Sequence, residues 1–122
     1  MNTLGSIVKD SHRDLYKISA EDTAYAAAVY MKELNIGAVT VVDGPRVVGL
    51  FSERDLMKRV VAEGHDAKAV KVRDVMTTEL TIASPTESYD VGLSRMQHAH
   101  CRHLPILEGH ECVALISLRD LV

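Results

Sequence analysis

The chain has 122 residues, of which 14 are basic and 17 are acidic, so its formal net charge is −3, and 47% of its residues are hydrophobic. This balance is typical of a folded globular domain, and it excludes intrinsic disorder, which needs a low hydrophobic content. The basic residues are scattered rather than clustered, which argues against a surface that binds nucleic acid by neutralising phosphates.

The expected cellular location follows from what the sequence lacks. Its first stretch, MNTLGSIVKDSHRD, has neither the basic start nor the apolar core of a signal peptide, and no apolar stretch is long enough to cross a bilayer. The two cysteines, Cys101 and Cys112, are too few for a disulfide framework and fit a reducing compartment. We therefore expect a soluble cytoplasmic protein with no nucleic-acid partner and no membrane partner.

The first half of the chain predicts a helix, a β-hairpin and a second helix. Apolar residues recur at helical spacing between residues 22 and 35. Two β-branched runs, AVTVV at 38–42 and RVVGLF at 46–51, are separated by DGP, which favours a tight turn. The next stretch begins with Ser52, has an acid three residues later and ends in Gly64, which is the pattern of a capped helix.

The second half of the chain begins with a connector and then repeats the predicted order of helix, hairpin and helix. Residues 66–85 contain little Gly and Ser, so they predict an ordered connector with a short amphipathic turn and then the extended segment ELTIA. A helix over 86–100 is predicted next. Strands at 103–107 and 112–117 follow it, and a last helix begins at Leu118.

A shift of 65 residues aligns the two halves. The match is strongest where each hairpin ends, since GLFSERDL at 49–56 faces ALISLRDL at 114–121. Similarity at a fixed period indicates a duplicated supersecondary unit. The expected domains are repeat 1 over residues 1–66 and repeat 2 over residues 67–122, together in one module, because units of about sixty residues bury little core alone.

These features resemble a known family. The tandem order of elements, the connector VRDVMTTELTIASP, the phrase RHLPIL and the paired GLFSERD and ALISLRD are similar to a tandem pair of CBS domains. This pair is named after cystathionine beta-synthase and is also called a Bateman module, and the chain resembles its stand-alone prokaryotic type. The resemblance implies an α+β fold, an α/β sandwich of tandem β-α-β-β-α repeats with pseudo-two-fold symmetry, and a homodimer.

The resemblance also implies a function. Members of the family are regulatory rather than catalytic, and they bind an adenosyl compound, such as AMP, ADP, ATP, S-adenosylmethionine or NAD, in a cleft between the repeats. The chain is therefore expected to be a sensor that requires no cofactor and binds the nucleotide as a regulatory ligand. It is expected to signal to a regulated protein partner by conformational change.

The resemblance assigns site residues in groups. The acids that accept hydrogen bonds from ribose hydroxyls match Asp55 and Asp120, and the hydroxyls beside them match Ser52 and Ser117. The extended edges that lie along adenine match, in the two repeats, the following residues: Tyr16, Lys17, Ile18, Thr77, Thr81 and Ile82.

Basic residues for a phosphate match only the second repeat. Arg102 and His103 stand there where the first repeat has Gly37–Ala38, so the two sites differ in charge. Ala114 also replaces the glycine that Gly49 matches, which adds a methyl group where a ligand is expected to approach closely. We therefore expect one good site and one weak or empty site.

Elementary chemistry agrees with these roles. One carboxylate can accept bonds from both hydroxyls of a vicinal diol, and the helix that starts after Ser52 offers unpaired N–H groups and its positive dipole end to a phosphate. The Ser-x-x-Asp pattern also predicts a plain helix cap without a ligand, and one residue can serve both purposes.

Other interpretations stay open. The chain is alternatively a constitutive dimerisation or protein-interaction module without a ligand. An enzyme is not indicated, because the sequence shows no nucleophile–base pair, no Walker-type loop and no catalytic metal spacing. No metal site is predicted in HAHCRH, whose side chains able to bind a metal are His98, His100, Cys101 and His103. Their spacing does not by itself bring them to one ion, and histidines late in a helix also suit the negative end of the helix dipole.

Overall fold

Helices and short strands alternate in the computed structural model, which describes residues 3–6 and 16–121. By spatial proximity these residues divide into a first unit, Tyr16–Glu79, and a second unit, residues 3–6 with residues 80–121. The mixture of helices and small sheets confirms the expected α+β class. Within the described residues, no helix is both long enough and apolar enough to span a membrane.

The first unit contains the predicted helix and hairpin. Its elements in chain order are β1 Lys17–Ser19, α1 Ala24–Leu34, β2 Ala38–Asp43, β3 Arg46–Ser52, α2 Glu53–Asp55, a π-helix Leu56–Val61, and α3 Val72–Val75. Helix α1 begins after Thr23, whose hydroxyl accepts a hydrogen bond from the Ala26 N–H at 3.1 Å. It ends at Asn35, which adopts the left-handed backbone conformation with φ of 54°.

The sheet of the first unit brings three parts of the chain together. Its strand order is β1-β2-β3, with β1 parallel and β3 antiparallel to β2. Lys17 is the partner of Thr40, and Ala38 is the partner of Ser52. The start of β1, the start of β2 and the end of β3 therefore lie at the same end of the sheet.

The helix predicted from Ser52 to Gly64 is only partly α-helical. After α2 the chain continues as the π-helix Leu56–Val61, and the Ala62 N–H donates to the Met57 carbonyl at 2.9 Å. This bond spans five residues, which is the π-helical spacing. The sequence does not reveal the change, because over six residues the spacing of apolar side chains is compatible with both types of helix.

The second unit repeats the helix, the hairpin and the final helix. Its elements are α4 Tyr89–Ala99, β4 His103–Glu108, β5 Glu111–Ser117 and α5 Leu118–Leu121. Helix α4 is capped by Ser88, whose hydroxyl accepts a hydrogen bond from the Val91 N–H at 3.3 Å. Strands β4 and β5 are antiparallel, with His103 opposite Ser117. The turn between them uses Gly109, whose φ of 67° suits glycine.

The predicted extended segment ELTIA forms a single bridge rather than a strand. Ala83 lies parallel to β4, donating its N–H to the Pro105 carbonyl at 3.1 Å and accepting from the Leu107 N–H at 2.8 Å. In the first unit the aligned residue, Ile18, belongs to the three-residue strand β1. The second repeat therefore keeps the expected order of elements, with its first strand reduced to one residue.

Each unit has its own hydrophobic core. The second core includes Leu4, which is fully buried, and a Cβ at Gly92 would lie 3.0 Å from Leu4 Cδ2. Residues 3–6 thus pack with the second half of the chain, while residues 67–79 pack in the first unit. The spatial units therefore differ from the repeats 1–66 and 67–122, which remain a prediction about the sequence duplication.

Candidate functional site

The Ser-x-x-Asp turn at the start of α2, residues 52–55, is called the first corner. The N–H and the hydroxyl of Ser52 donate to Asp55 Oδ2 at 3.0 and 3.1 Å. The Asp55 N–H in turn donates to Ser52 Oγ at 3.2 Å. These reciprocal bonds form a capping box, so the predicted helix cap is confirmed here.

The second corner, residues 117–120, repeats the two bonds to the carboxylate at the start of α5. The N–H and the hydroxyl of Ser117 donate to Asp120 Oδ2 at 2.8 and 3.1 Å. Asp120 is half-buried, whereas Asp55 is only 6% exposed. The duplicated sequence therefore builds the same turn twice, but the two carboxylates differ in their access to solvent.

Both corners are tied to the residue that precedes the neighbouring strand. The Glu53 N–H donates to the Gly37 carbonyl at 3.0 Å, and the Leu118 N–H donates to the Arg102 carbonyl at 2.7 Å. In the first corner the N–H groups of Glu53 and Asp55 are thus both bonded within the chain. The expectation that this helix start offers unpaired N–H groups to a phosphate is wrong for these two groups.

Thr77 joins the first corner to the connector. Its N–H and carbonyl exchange two hydrogen bonds with Leu50 of β3, both at 2.9 Å, and its hydroxyl donates to Asp55 Oδ1 at 2.9 Å. The backbone of Thr77, which the resemblance places along adenine, is therefore paired with β3. Its hydroxyl remains beside the carboxylate that the resemblance assigns to ribose.

Arg59 also reaches the first corner. Its Nε lies 3.5 Å from Asp55 Oδ1, and its Nη1 donates to the Met76 carbonyl at 2.9 Å. The sequence contains a local signal for this pair, because residues four apart on a helix are neighbours. The bond to Met76 depends on the path of the connector, which the local pattern does not specify.

Gly49 is required by the chain's own packing. A Cβ at this position would lie 2.6 Å from Met76 Sδ and 2.9 Å from the Thr77 carbonyl oxygen. The sequence comparison with Ala114 predicts that glycine leaves room for a ligand. The groups that occupy that room are Met76 and Thr77, so the connector accounts for the glycine.

The adenine edge predicted in the first repeat coincides with β1. The Ile18 side chain is buried in the core and its backbone groups face β2, while Lys17 is exposed. The Tyr16 carbonyl accepts from the Thr40 hydroxyl at 3.1 Å, and the Ala20 N–H donates to β2. Since backbone groups alternate between the two edges of a strand, those of Lys17 point away from β2.

The adenine edge predicted in the second repeat is held by an arginine that the sequence did not single out. Thr81 is half-buried and Ile82 is 43% exposed. The Ile82 carbonyl accepts from Arg95 Nη1 at 3.0 Å, and Arg95 forms an ion pair with Glu87 at 2.6 Å. The hydrogen bond from Arg95 holds the pKa of the Glu87 carboxyl below its ordinary value, and a backbone N–H from Ser84 adds to this effect.

The predicted charge difference between the corners corresponds to a difference in structure. Arg102 is exposed and His103 is half-buried at the start of β4, next to Ser117 of the second corner. At the aligned position in the first unit, a Cβ on Gly37 would lie 3.4 Å from Glu53 Oε2. Two basic residues thus lie at the end of the hairpin that carries the second corner, and the first corner itself contains the acidic Glu53.

The histidine and cysteine cluster does not converge. In the part of the chain that the structure describes, no three His, Cys, Asp or Glu side chains are placed to hold a metal ion. Nδ1 of His98 lies 2.8 Å from the carbonyl oxygen of Ser94 on its own helix. Burial raises the pKa of the Cys101 thiol, which disfavours the thiolate that a metal would need.

Comparison with known proteins identifies the family. The sequence pattern of the CBS domain matches twice, at residues 5–62 and 72–122. The CBS domain-containing protein YhcV of Bacillus subtilis is 33% identical over 117 residues, which cover 95% of this chain and 83% of the relative. A structure of a protein with CBS domains from Burkholderia ambifaria has a TM-score of 0.92 and 36% identity, covering 98% of this chain and 90% of that one.

A third similar protein was solved with a ligand. This CBS domain protein from Pyrobaculum aerophilum, complexed with AMP, has a TM-score of 0.86 and 21% identity, covering 98% of this chain and 89% of its own. At this identity the likeness shows the fold alone. CBS-domain proteins are regulatory modules. The chain belongs to the CBS domain family and contains two CBS domains in tandem.

Proposed function

We propose that the chain is a non-catalytic sensor that binds an adenosyl nucleotide at the second corner and signals by conformational change. The ligand class comprises AMP, ADP, ATP, S-adenosylmethionine and NAD. The residues proposed to bind it are Ser117 and Asp120 for ribose, Thr81 and Ile82 for adenine, and Arg102 and His103 for phosphate.

The observation that carries the proposal is the meeting of a carboxylate turn with basic residues at one end of a hairpin. His103 is paired with Ser117, and the Arg102 carbonyl accepts from the Leu118 N–H at 2.7 Å. A carboxylate is suited to a vicinal diol, and a guanidinium is suited to a phosphate. A nucleotide presents these two groups a few bonds apart, so one end of β4 and β5 supplies partners for both.

The Thr81–Ile82 segment supplies an edge for the base. The backbone groups of Ala83 bond to β4, so alternation along the extended chain directs those of Ile82 away from it. The Ile82 carbonyl already accepts one bond from Arg95, but a carbonyl oxygen has two lone pairs. A backbone N–H and carbonyl on such an edge match the acceptor and donor of adenine.

The first corner is the second candidate site of the same function. Its residues are Ser52 and Asp55 for ribose, beside the Thr77 hydroxyl, and Lys17 with its neighbour Ile18 along the adenine edge. The start of β1 and the end of β3 lie at the same end of their sheet, which supports this grouping. The acidic Glu53 beside Gly37 makes this corner less favourable for a phosphate.

Related proteins give further support. The Pyrobaculum aerophilum neighbour binds AMP, and an adenine nucleotide is the smallest ligand that would use the carboxylate, the backbone edge and the basic residues together. A ligand shifts a conformational equilibrium only through its different affinity for the two states. Signalling to a protein partner therefore requires that the nucleotide bind one arrangement of the chain better than another.

A constitutive homodimerisation or protein-interaction module is the alternative. Two apolar side chains of the π-helix, Met57 and Val61, are 53% and 67% exposed. Exposed apolar residues one turn apart are a feature of interaction surfaces. On this alternative the cytoplasmic chain would associate with itself or a partner equally well with and without nucleotide.

A thermal-shift panel tests the proposed function. The wild type and Asp120→Asn are heated with AMP, ADP, ATP, S-adenosylmethionine, NAD or no ligand. An asparagine can still accept the Ser117 N–H, so the cap remains while the charge on the diol acceptor is lost. At a hundred times its dissociation constant a ligand adds about 2.7 kcal/mol of stability, which is easily measured.

The matched control is Asp55→Asn in the first corner. We expect a shift with at least one compound in the wild type and in Asp55→Asn, and its loss in Asp120→Asn. A folded wild type that responds to none of the compounds would contradict the sensor and favour the interaction module. If the thermal shift is the same in Asp120→Asn and in the wild type, the ligand binds elsewhere and the second corner is not its site.

A further inference from the structure

Groups of its own chain occupy the whole carboxylate of Asp55. Oδ2 accepts two bonds from Ser52, while Oδ1 accepts one from the Thr77 hydroxyl at 2.9 Å and lies 3.5 Å from Arg59 Nε. A carboxylate offers about four lone-pair positions to donors. Three hydrogen bonds and the approach of the Arg59 cation already surround it, so a ribose diol can bind Asp55 only by displacing some of these groups.

The four donors differ in how firmly they are held. The Ser52 donors are part of the helix cap, and Thr77 is fixed by its two backbone bonds to Leu50. Arg59 is different, because its side chain is 52% exposed, ends a long flexible stem and makes the longest of the four approaches. Arg59 is therefore the group whose removal should open Asp55 with the least change to the rest of the corner.

Arg59 also covers the corner from the side of the connector. While Nε faces Asp55, Nη1 donates to the Met76 carbonyl at 2.9 Å, so one guanidinium joins the carboxylate to the backbone next to Thr77. The Asp55 side chain is only 8% exposed in this arrangement. The Arg59 guanidinium thus occupies the position from which the hydroxyls of a ligand would donate to Asp55.

We propose that Arg59 is an internal occupant of the first corner, which closes Asp55 to ribose and leaves the wild-type chain with one nucleotide site, at the second corner. This inference rests on the proposed function, since it specifies which of the two corners the nucleotide uses. Arg59 then determines how many nucleotides the chain binds, although it does not contact the bound nucleotide.

The test is calorimetric titration with adenosine and with AMP. Adenosine carries the diol without a phosphate, so the loss of a positive charge does not by itself weaken its binding. The variants are Arg59→Met, which keeps a long side chain without its donors, and Arg59→Met with Thr77→Val, which also removes the hydroxyl but keeps its shape. Arg54→Met removes an exposed arginine from the same turn and is the matched control.

We expect one bound nucleotide per chain in the wild type and in Arg54→Met. Arg59→Met removes the cation in front of Asp55 Oδ1, and the double variant also frees the acceptor position that Thr77 occupies. Binding at the first corner should therefore strengthen in that order until two molecules bind per chain. When Asp55→Asn is added to the double variant, we expect the stoichiometry to return to one molecule per chain. Two molecules bound by the wild type, or weaker binding at the first corner in Arg59→Met, would overturn the proposal, because Arg59 would then assist the ligand.

A measurement without nucleotide separates this inference from the proposed function. Unfolding midpoints of Asp55→Asn, Arg59→Met and their combination form a double-mutant cycle. We expect the combined variant to lose less than the sum of the single losses, because both remove one contact. Additive losses overturn the Arg59 proposal even where the second corner binds nucleotide. Absence of binding in every titration overturns the proposed function instead.

Discussion

Arg95 holds the backbone of Ile82, because its guanidinium donates to the Ile82 carbonyl at 3.0 Å while it forms an ion pair with Glu87 at 2.6 Å. In the first unit the residue aligned with Arg95 is Tyr30, whose ring meets that of Tyr16 edge-on at 6.2 Å. Both repeats therefore support the edge segment from the same helical position. The first does so through an aromatic pair, and the second through a polar clamp.

Replacing Arg95 with Met should loosen this edge. The segment has a single bridge at Ala83, so the arginine supplies part of the restraint that a longer strand would provide. We expect faster hydrogen exchange of the Ala83 and Leu107 amides, whose N–H groups form the bridge, and weaker adenosine binding at the second corner. Arg73→Met, which removes an exposed arginine paired with Glu21 in the first unit, is the control. Equal exchange in Arg95→Met and wild type would show that the bridge needs no clamp.

Local signals in the sequence were sufficient for helices α1 and α4, the two hairpins and both caps. Ser52 and Ser117 were recognisable as caps because a capping bond joins residues three apart, which any short window of sequence contains. The tight turn at DGP was recognisable for the same reason, and its Gly44 has a φ of 62°, which favours glycine.

The contacts that could not be predicted join residues far apart in the chain. Thr77 pairs with Leu50, and Leu4 fills the core beside Gly92, because the folded path brings these segments together. The residues adjacent in sequence give no signal for this route of the folded chain. The hydrogen bond from Thr77 to Asp55 was missed for this reason, although the aspartate itself was singled out correctly as a capping residue.

Gly49→Ala should destabilise the first unit. The added Cβ would lie 2.6 Å from Met76 Sδ and 2.9 Å from the Thr77 carbonyl, and the carbonyl is fixed by its bond to Leu50. Overpacking of this kind costs about 1 to 3 kcal/mol, which urea unfolding can measure. Gly92→Ala is the matched control, because its nearest neighbour at 3.0 Å is the flexible end of Leu4. A larger loss for Gly92→Ala would contradict the rigid approach of the connector to β3.

The two cap serines should differ in their contribution to stability. Ser52→Ala and Ser117→Ala each remove a hydroxyl bonded to the aspartate of the corner, at a cost of about 1 kcal/mol. Ser52→Ala should cost more, because Asp55 is 6% exposed and solvent cannot readily replace the lost donor. Urea unfolding of both variants measures the difference. Equal losses would indicate that water reaches both carboxylates.

Glu87 should make the stability of the protein depend on pH at the acid side. The pKa of its carboxyl lies below the ordinary value of 4.5 in the folded chain, because of the hydrogen bond from Arg95 and then of the bond from the Ser84 N–H. Its contribution to stability is therefore present above pH 4.5 and is lost as the pH falls through the lower folded value, since the unfolded chain takes up the proton first.

Glu87→Gln removes this titration and keeps the shape of the side chain. We expect the variant to be less stable than the wild type near neutral pH, and the difference in free energy of unfolding to shrink as the pH falls below the ordinary value of 4.5. Urea unfolding from roughly pH 6 to pH 3 measures it. Glu63→Gln changes an exposed glutamate of the first unit by the same charge. If its difference from wild type shrinks in the same way, the effect comes from net charge, and the pair of Glu87 with Arg95 is not its cause.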